Sequence, residues 1–133
     1  MKNFAIALAA SAALLSAPAA YAKNKPSGEE KLASMLEGRE AGEPVSCLPH
    51  AASSNMKIVD KTAIVYGRGN TVWVNRPMNA DNLDDDDILV RSSHTARLCN
   101  LDSVRLIDRS SWFFTGFVGL NKFVPYRRVA VAN

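Results

Sequence analysis

Apolar residues are densest in two short runs, Thr62-Ala63-Ile64-Val65-Tyr66 and Thr71-Val72-Trp73-Val74. Gly67-Arg68-Gly69-Asn70 separates them, and both glycines tolerate positive φ, so the stretch predicts a β-hairpin with a four-residue loop. Alternation puts Ile64 and Tyr66 on one face and Ala63 and Val65 on the other. Both faces are apolar, which predicts a sheet covered on both sides. Pro77 ends the second strand, because proline cannot donate to a ladder. Upstream, Leu32, Met35 and Leu36 fall at helical spacing. Ser27 and Glu30 form a capping-box pair and Gly38 suits a left-handed stop, predicting a helix over Gly28–Glu37. Its narrow apolar stripe suits a lid on the sheet or a surface for a partner.

Further short strands are predicted at Val45–Leu48, stopped by Pro49, and at Met56–Val59, followed by a tight turn at Asp60-Lys61. Others are Ile88–Val90, Val104–Asp108 and Trp112–Val118, where Gly116 and Gly119 suggest a bulge or bend. The tail from Tyr126 to Asn133 suits an edge strand through Val129 and Val131. Arg39–Pro44 reads as a linker and Met78–Asp87 as a polar loop. The fold class expected is mainly β, a small antiparallel sandwich or open barrel with one N-terminal α-helix.

Composition adds a compartment. Met1–Ala22 has a Lys2 n-region, an alanine-rich apolar run and an Ala20-Tyr21-Ala22 cleavage pattern, so residues 1–22 are expected to be a signal peptide. Residues 23–44 then hold the polar start, helix and linker, and residues 45–133 the β-rich domain. The 133-residue chain carries a formal charge of +3. The leader contributes one of these charges through Lys2, and the small remainder does not suggest nucleic acid as a partner. No membrane span is expected once the leader is removed, and the expected location is periplasmic or secreted. In an oxidising compartment the two cysteines, Cys47 and Cys99, are most simply a disulfide. It would close a loop of about fifty residues, worth roughly 4 kcal/mol in the chain-entropy model. A redox pair lacks its C-x-x-C spacing. A zinc site would have to recruit His50 and His94 at loose spacings.

An ordered series of short motifs supports this picture. Gly38-Arg39, Gly42-x-Pro44-x-x-Cys47-Leu48, Ile58-Val59-Asp60 and Ala63–Tyr66 come first. Leu98-Cys99-Asn100-Leu101-Asp102 and Gly116-Phe117-x-x-Leu120-x-x-Phe123-x-Pro125-Tyr126 follow. The series resembles a family of small exported proteobacterial proteins of unknown function, with a paired-cysteine, β-rich domain. Leu48 stands where that pattern has isoleucine. The resemblance implies an exported small domain with paired cysteines and brings no catalytic residues.

Candidate chemistry is sparse. Asp84-Asp85-Asp86-Asp87 is the most conspicuous polar cluster. Aligned as an EF-hand from Asn82, it has Asp87 and Ser93 where glycine and glutamate are needed, so that motif fails. A solvated loop, a looser cation site and a contact for a basic partner remain. His50 and His94 are the only histidine bases, and no G-x-S-x-G or H-E-x-x-H accompanies them. Gly67-Arg68-Gly69 joins two strands and is not a phosphate-binding P-loop.

Trp73, Trp112, Phe113, Phe114, Phe117, Phe123 and Tyr126 supply most of the aromatic content, mostly for the core. Trp112, Phe113 and Phe114 are consecutive and, on a strand, must face both ways. Trp112 and Phe114 are therefore the candidate partner surface. The function expected is a non-enzymatic binding or structural module of the cell envelope. It needs no cofactor, and its partner is an envelope protein or cell-wall component. The alternative is a small periplasmic hydrolase or metal-dependent enzyme using His94 or the Asp84–Asp87 loop.

Overall fold

The computed structural model describes residues 24–92 and 95–130. The expected signal peptide at residues 1–22, Ser93, His94 and Val131 lie outside the described residues. One helix, α1 (Gly28–Met35), is followed by β1 (Arg39–Ala41), β2 (Met56–Val59), β3 (Ala63–Tyr66) and β4 (Thr71–Asn75). Then come β5 (Asp87–Arg91), β6 (Ser103–Asp108), β7 (Phe114–Gly119) and β8 (Val124–Arg128). They form two antiparallel sheets, ordered β1-β8-β4-β3-β2 and β5-β6-β7. This is the small sandwich with one helix that the patterning predicts.

The central hairpin forms as read. All four residues of β3 are buried, and Gly67 and Gly69 take φ of 85° and 83° in its loop. Ile64 and Tyr66 enter the core between the sheets with Val104, Leu106, Val118 and Phe123. Tyr66 meets Phe123 edge-on, with ring centroids 5.7 Å apart. On the opposite face, Ala63 and Val65 pack with Val59, Val72, Val74 and Leu32 of α1. The molecule therefore has three layers: helix, five-stranded sheet and three-stranded sheet. The capping box holds α1 at its start: Ser27 N–H donates to Glu30 Oε2 at 2.6 Å and Glu30 N–H to Ser27 Oγ at 3.2 Å. The helix ends at Met35, two residues earlier than expected, and Gly38 follows at φ 70°.

Three elements differ from expectation. Arg39–Ala41, read as linker, is β1 and pairs with β8. Val45–Leu48 forms no strand, only isolated bridges from Val45 to Phe123 and from Cys47 to Cys99. The C-terminal strand is not at an edge, because β8 lies between β1 and β4 despite Pro125. Gly42 N–H donates to Pro125 O at 2.7 Å. The bond that proline cannot make points the same way, toward Gly42 beyond the end of β1, so neither ladder loses an internal bond.

Cys47 and Cys99 form a disulfide with a sequence separation of 52 residues. Two backbone bonds flank it, Leu48 N–H to Leu98 O and Asn100 N–H to Ser46 O, both 2.7 Å. The bridge ties the approach to β2 to the approach to β6, and so one sheet to the other. It also argues against the zinc alternative, since bridged thiols are not available as zinc ligands.

Candidate functional site

The three-stranded sheet turns one face to the core and the other outward. On β6, Val104 and Leu106 are buried, while Ser103, Arg105 and Ile107 point outward. Opposite Arg105 stands Phe117, and opposite Ile107 stands Phe114. Two residues of a regular strand three apart would face opposite ways. Here Leu106 pairs with Gly116 and Ile107 with Phe114, which leaves Thr115 as the extra residue of a bulge. That bulge brings Phe114 and Phe117 onto the same outer face.

The turn ahead of β7 adds two more aromatics. Trp112 N–H donates to Asp108 O and Asp108 N–H to Phe113 O, both at 2.9 Å. The Asp108 carboxylate accepts from Ser110 N–H, Ser111 N–H and the Ser111 hydroxyl. These bonds, chiefly from Ser111, hold its carboxyl below its ordinary range. Trp112 and Phe113 precede the strand, so the expectation that the triplet alternates across it does not apply. All are exposed: Trp112 at 72 %, Phe113 at 74 %, Phe114 at 55 % and Phe117 at 59 %. The Arg105 guanidinium lies over the Phe114 ring, 5.5 Å from its centre.

Trp112 carries a second distinction. Its φ is 62°, in the left-handed region, where a bulky side chain costs on the order of 1 kcal/mol and glycine costs little. The indole gains no buried packing in return.

The outer edge of β7 is closed. Asn79 Nδ2 donates to Phe117 O at 2.6 Å, Gly119 N–H donates to Asn79 Oδ1 at 3.0 Å, and Met78 N–H donates to Gly119 O at 3.1 Å. A side-chain amide and one backbone group thus stand in for a neighbouring strand. A partner is left the face of the sheet rather than this part of its edge.

Carboxylates border the aromatic turn. Asp84, Asp85 and Asp86 are exposed, with one oxygen from each lying within 4.8 Å of the others. Lys31 approaches Asp85 at 3.7 Å. Asp86 O accepts from Arg109 N–H, which ties this loop to the turn. Asp87 is only 4 % exposed and takes its hydrogen bond from the Thr115 hydroxyl. Burial pushes its carboxyl up. Thr115 opposes the shift, and Asp84, Asp108 and Asp86 add to it.

Trp112 and Phe114, the pair singled out in the sequence, are both exposed, one on the turn and one on β7. The structure adds Phe113 and Phe117, which sequence reading left in the core. The available signal was Gly116, since a bulge there resets the facing of Phe117. Trp73 and Tyr126 pack against the two cores and Phe123 is buried. His50 is exposed at the head of a 3-10 turn that buries Ala52, and Ser53 Oγ donates to its carbonyl rather than to its ring. His94 lies outside the described residues. No family model, curated protein or solved structure matches the chain.

Proposed function

We propose that the protein is an exported, non-enzymatic binding module of the cell envelope. On this reading it docks a partner protein through the outer face of the three-stranded sheet. The observation that carries the reading is Trp112: a large indole at a backbone position that favours glycine, exposed beside three further exposed aromatics. Folding alone gives no return for that choice, whereas binding does, since buried tryptophans anchor interfaces. Around the turn, Asp84, Asp85, Asp86 and Asp108 outnumber Arg105 and Arg109. The matching partner is therefore apolar at its centre and basic at its rim. An anionic bilayer would be repelled by the same carboxylates. The leader pattern at residues 1–22, the family resemblance and the disulfide support export, and no described helix is long and apolar enough to cross a membrane.

The test is crosslinking in cells, then purification of the companion and titration with wild-type and Trp112→Gly protein. Glycine relieves the backbone, so the variant is expected to fold at least as stably as wild type. It is expected to bind about thirtyfold more weakly, the scale of a tryptophan anchor. Affinity is expected to fall with added salt. A companion held equally by both proteins would overturn the reading. Retention on purified cell wall with no protein companion would overturn its protein form.

A further inference from the structure

The helix-side face of the five-stranded sheet carries a second concavity, unrelated to the aromatic surface. It lies past the C-terminal end of α1 and beside the hairpin loop, with a volume of about 480 Å³. Val65 and Val72, both buried, line it together with Met35. Three cationic side chains, Arg39, Lys57 and Arg68, also line it, and no carboxylate does.

Each cation reaches this place for a structural reason. Arg39 is the first residue of β1 and pairs with Arg128 of β8, so two guanidinium groups start from directly opposed positions. Like charges so placed repel. Carbonyl oxygens of the hairpin loop fix Arg39: Nη2 donates to Gly69 O at 2.8 Å and Nη1 to Asn70 O at 3.0 Å. Arg128 Nε also reaches Gly69 O, at 3.4 Å. Burial and then Arg128 disfavour the charge on Arg39. Arg68 is exposed in the loop between Gly67 and Gly69, and Lys57 is exposed on β2. The ion pairs of the described residues, Lys31–Asp85 and Arg76–Glu29, leave these cations without a carboxylate partner.

We propose that this concavity binds a phosphate group, with Arg39, Lys57 and Arg68 as its ligands and the valine floor beneath the body that carries it. Three cations around one site suit a dianion better than a single carboxylate, and guanidinium groups bond phosphate oxygens in pairs. The loop does not act as a P-loop, because side chains rather than a run of backbone N–H groups supply the charge. Arg39 is already held in place by two carbonyl oxygens, which lowers the ordering cost of binding. The same chemistry is offered by a soluble phosphorylated small molecule and by a phospholipid headgroup.

The experiment is an amide chemical-shift titration of the protein with pyrophosphate, with sodium chloride at matched ionic strength as reference. In parallel, it is sedimented with vesicles of phosphatidylcholine, with and without phosphatidic acid. Saturable shifts confined to residue 39, residues 54–57 and residues 67–70 are expected. They should weaken at least about tenfold in a Lys57→Ala, Arg68→Ala double variant. Both replaced side chains are exposed, so the fold is retained. Lys122→Ala, elsewhere on the surface, should leave affinity unchanged. Binding to pyrophosphate alone assigns the soluble source, and binding to acidic vesicles alone assigns the headgroup. Two results overturn the site: no saturable response in either arm, or a response that the double variant keeps. Neither bears on the aromatic surface, whose test uses Trp112.

Discussion

Replacing both Cys47 and Cys99 by serine isolates what the bridge contributes. The two positions are half-buried, so serine hydroxyls there reach water and add little desolvation cost. The flanking backbone bonds of Leu48 and Asn100 do not depend on sulfur. What the variant loses is the restriction on the unfolded chain. A separation of 52 residues gives about 4 kcal/mol in the chain-entropy model. Domains of this size are stable by roughly 5–15 kcal/mol, so the loss is a large share of the total. It corresponds to a fall in melting temperature of about 15–25 °C. Urea unfolding followed by circular dichroism, on the oxidised protein and on the double variant, measures it directly. The variant should also show an equal or steeper dependence on urea, because its unfolded chain is less compact. A loss below about 1 kcal/mol would refute the reasoning, since it would mean the unfolded chain is constrained without the bridge.

Asp87→Asn should stabilise the protein at neutral pH. The raised folded-state pKa means that ionised Asp87 is a penalty, absent below its ordinary value of 3.8 and growing as pH rises above it. Thermal melts of variant and wild type should therefore diverge with rising pH and converge in acid. Asn79→Ala removes the amide that closes the β7 edge and should cost about 2 kcal/mol. Light scattering should also show concentration-dependent association through the bared edge. Phe123→Ala empties a fully buried site against Tyr66 and should cost about 3–5 kcal/mol in urea unfolding.

What was legible in the sequence was local. The hairpin is encoded by two glycines and by runs that are apolar on both faces, and the capping box by two residues three apart. The disulfide follows from a cysteine count and an expected compartment. Long-range partners were not legible. Nothing in Arg39-Glu40-Ala41 announces a strand, because its pairing depends on Tyr126, Arg127 and Arg128, which are distant in sequence. The tail from Tyr126 read as an edge strand through Val129 and Val131, and only the detailed register shows β8 inside the sheet, with the missing donor of Pro125 falling past the end of β1. The site was half legible for the same reason. Aromatic composition pointed to Trp112 and Phe114, but the facing of Phe117 depends on one unpaired residue in β7. The left-handed backbone at Trp112 has no sequence signature at all.

The place of β8 between β1 and β4 also governs when the fold can form. Until residues 124–128 are available, β1 has no strand to pair with and β4 lacks one of its two neighbours. A chain emerging N-terminus first can close the hairpin of β3 and β4, but it cannot complete the larger sheet or cover Phe123. Closure of such distant segments is slow compared with a hairpin. In a chain made N-terminus first, the larger sheet therefore closes only after residues 124–128 have emerged, so its assembly waits on a segment more than eighty residues after β1.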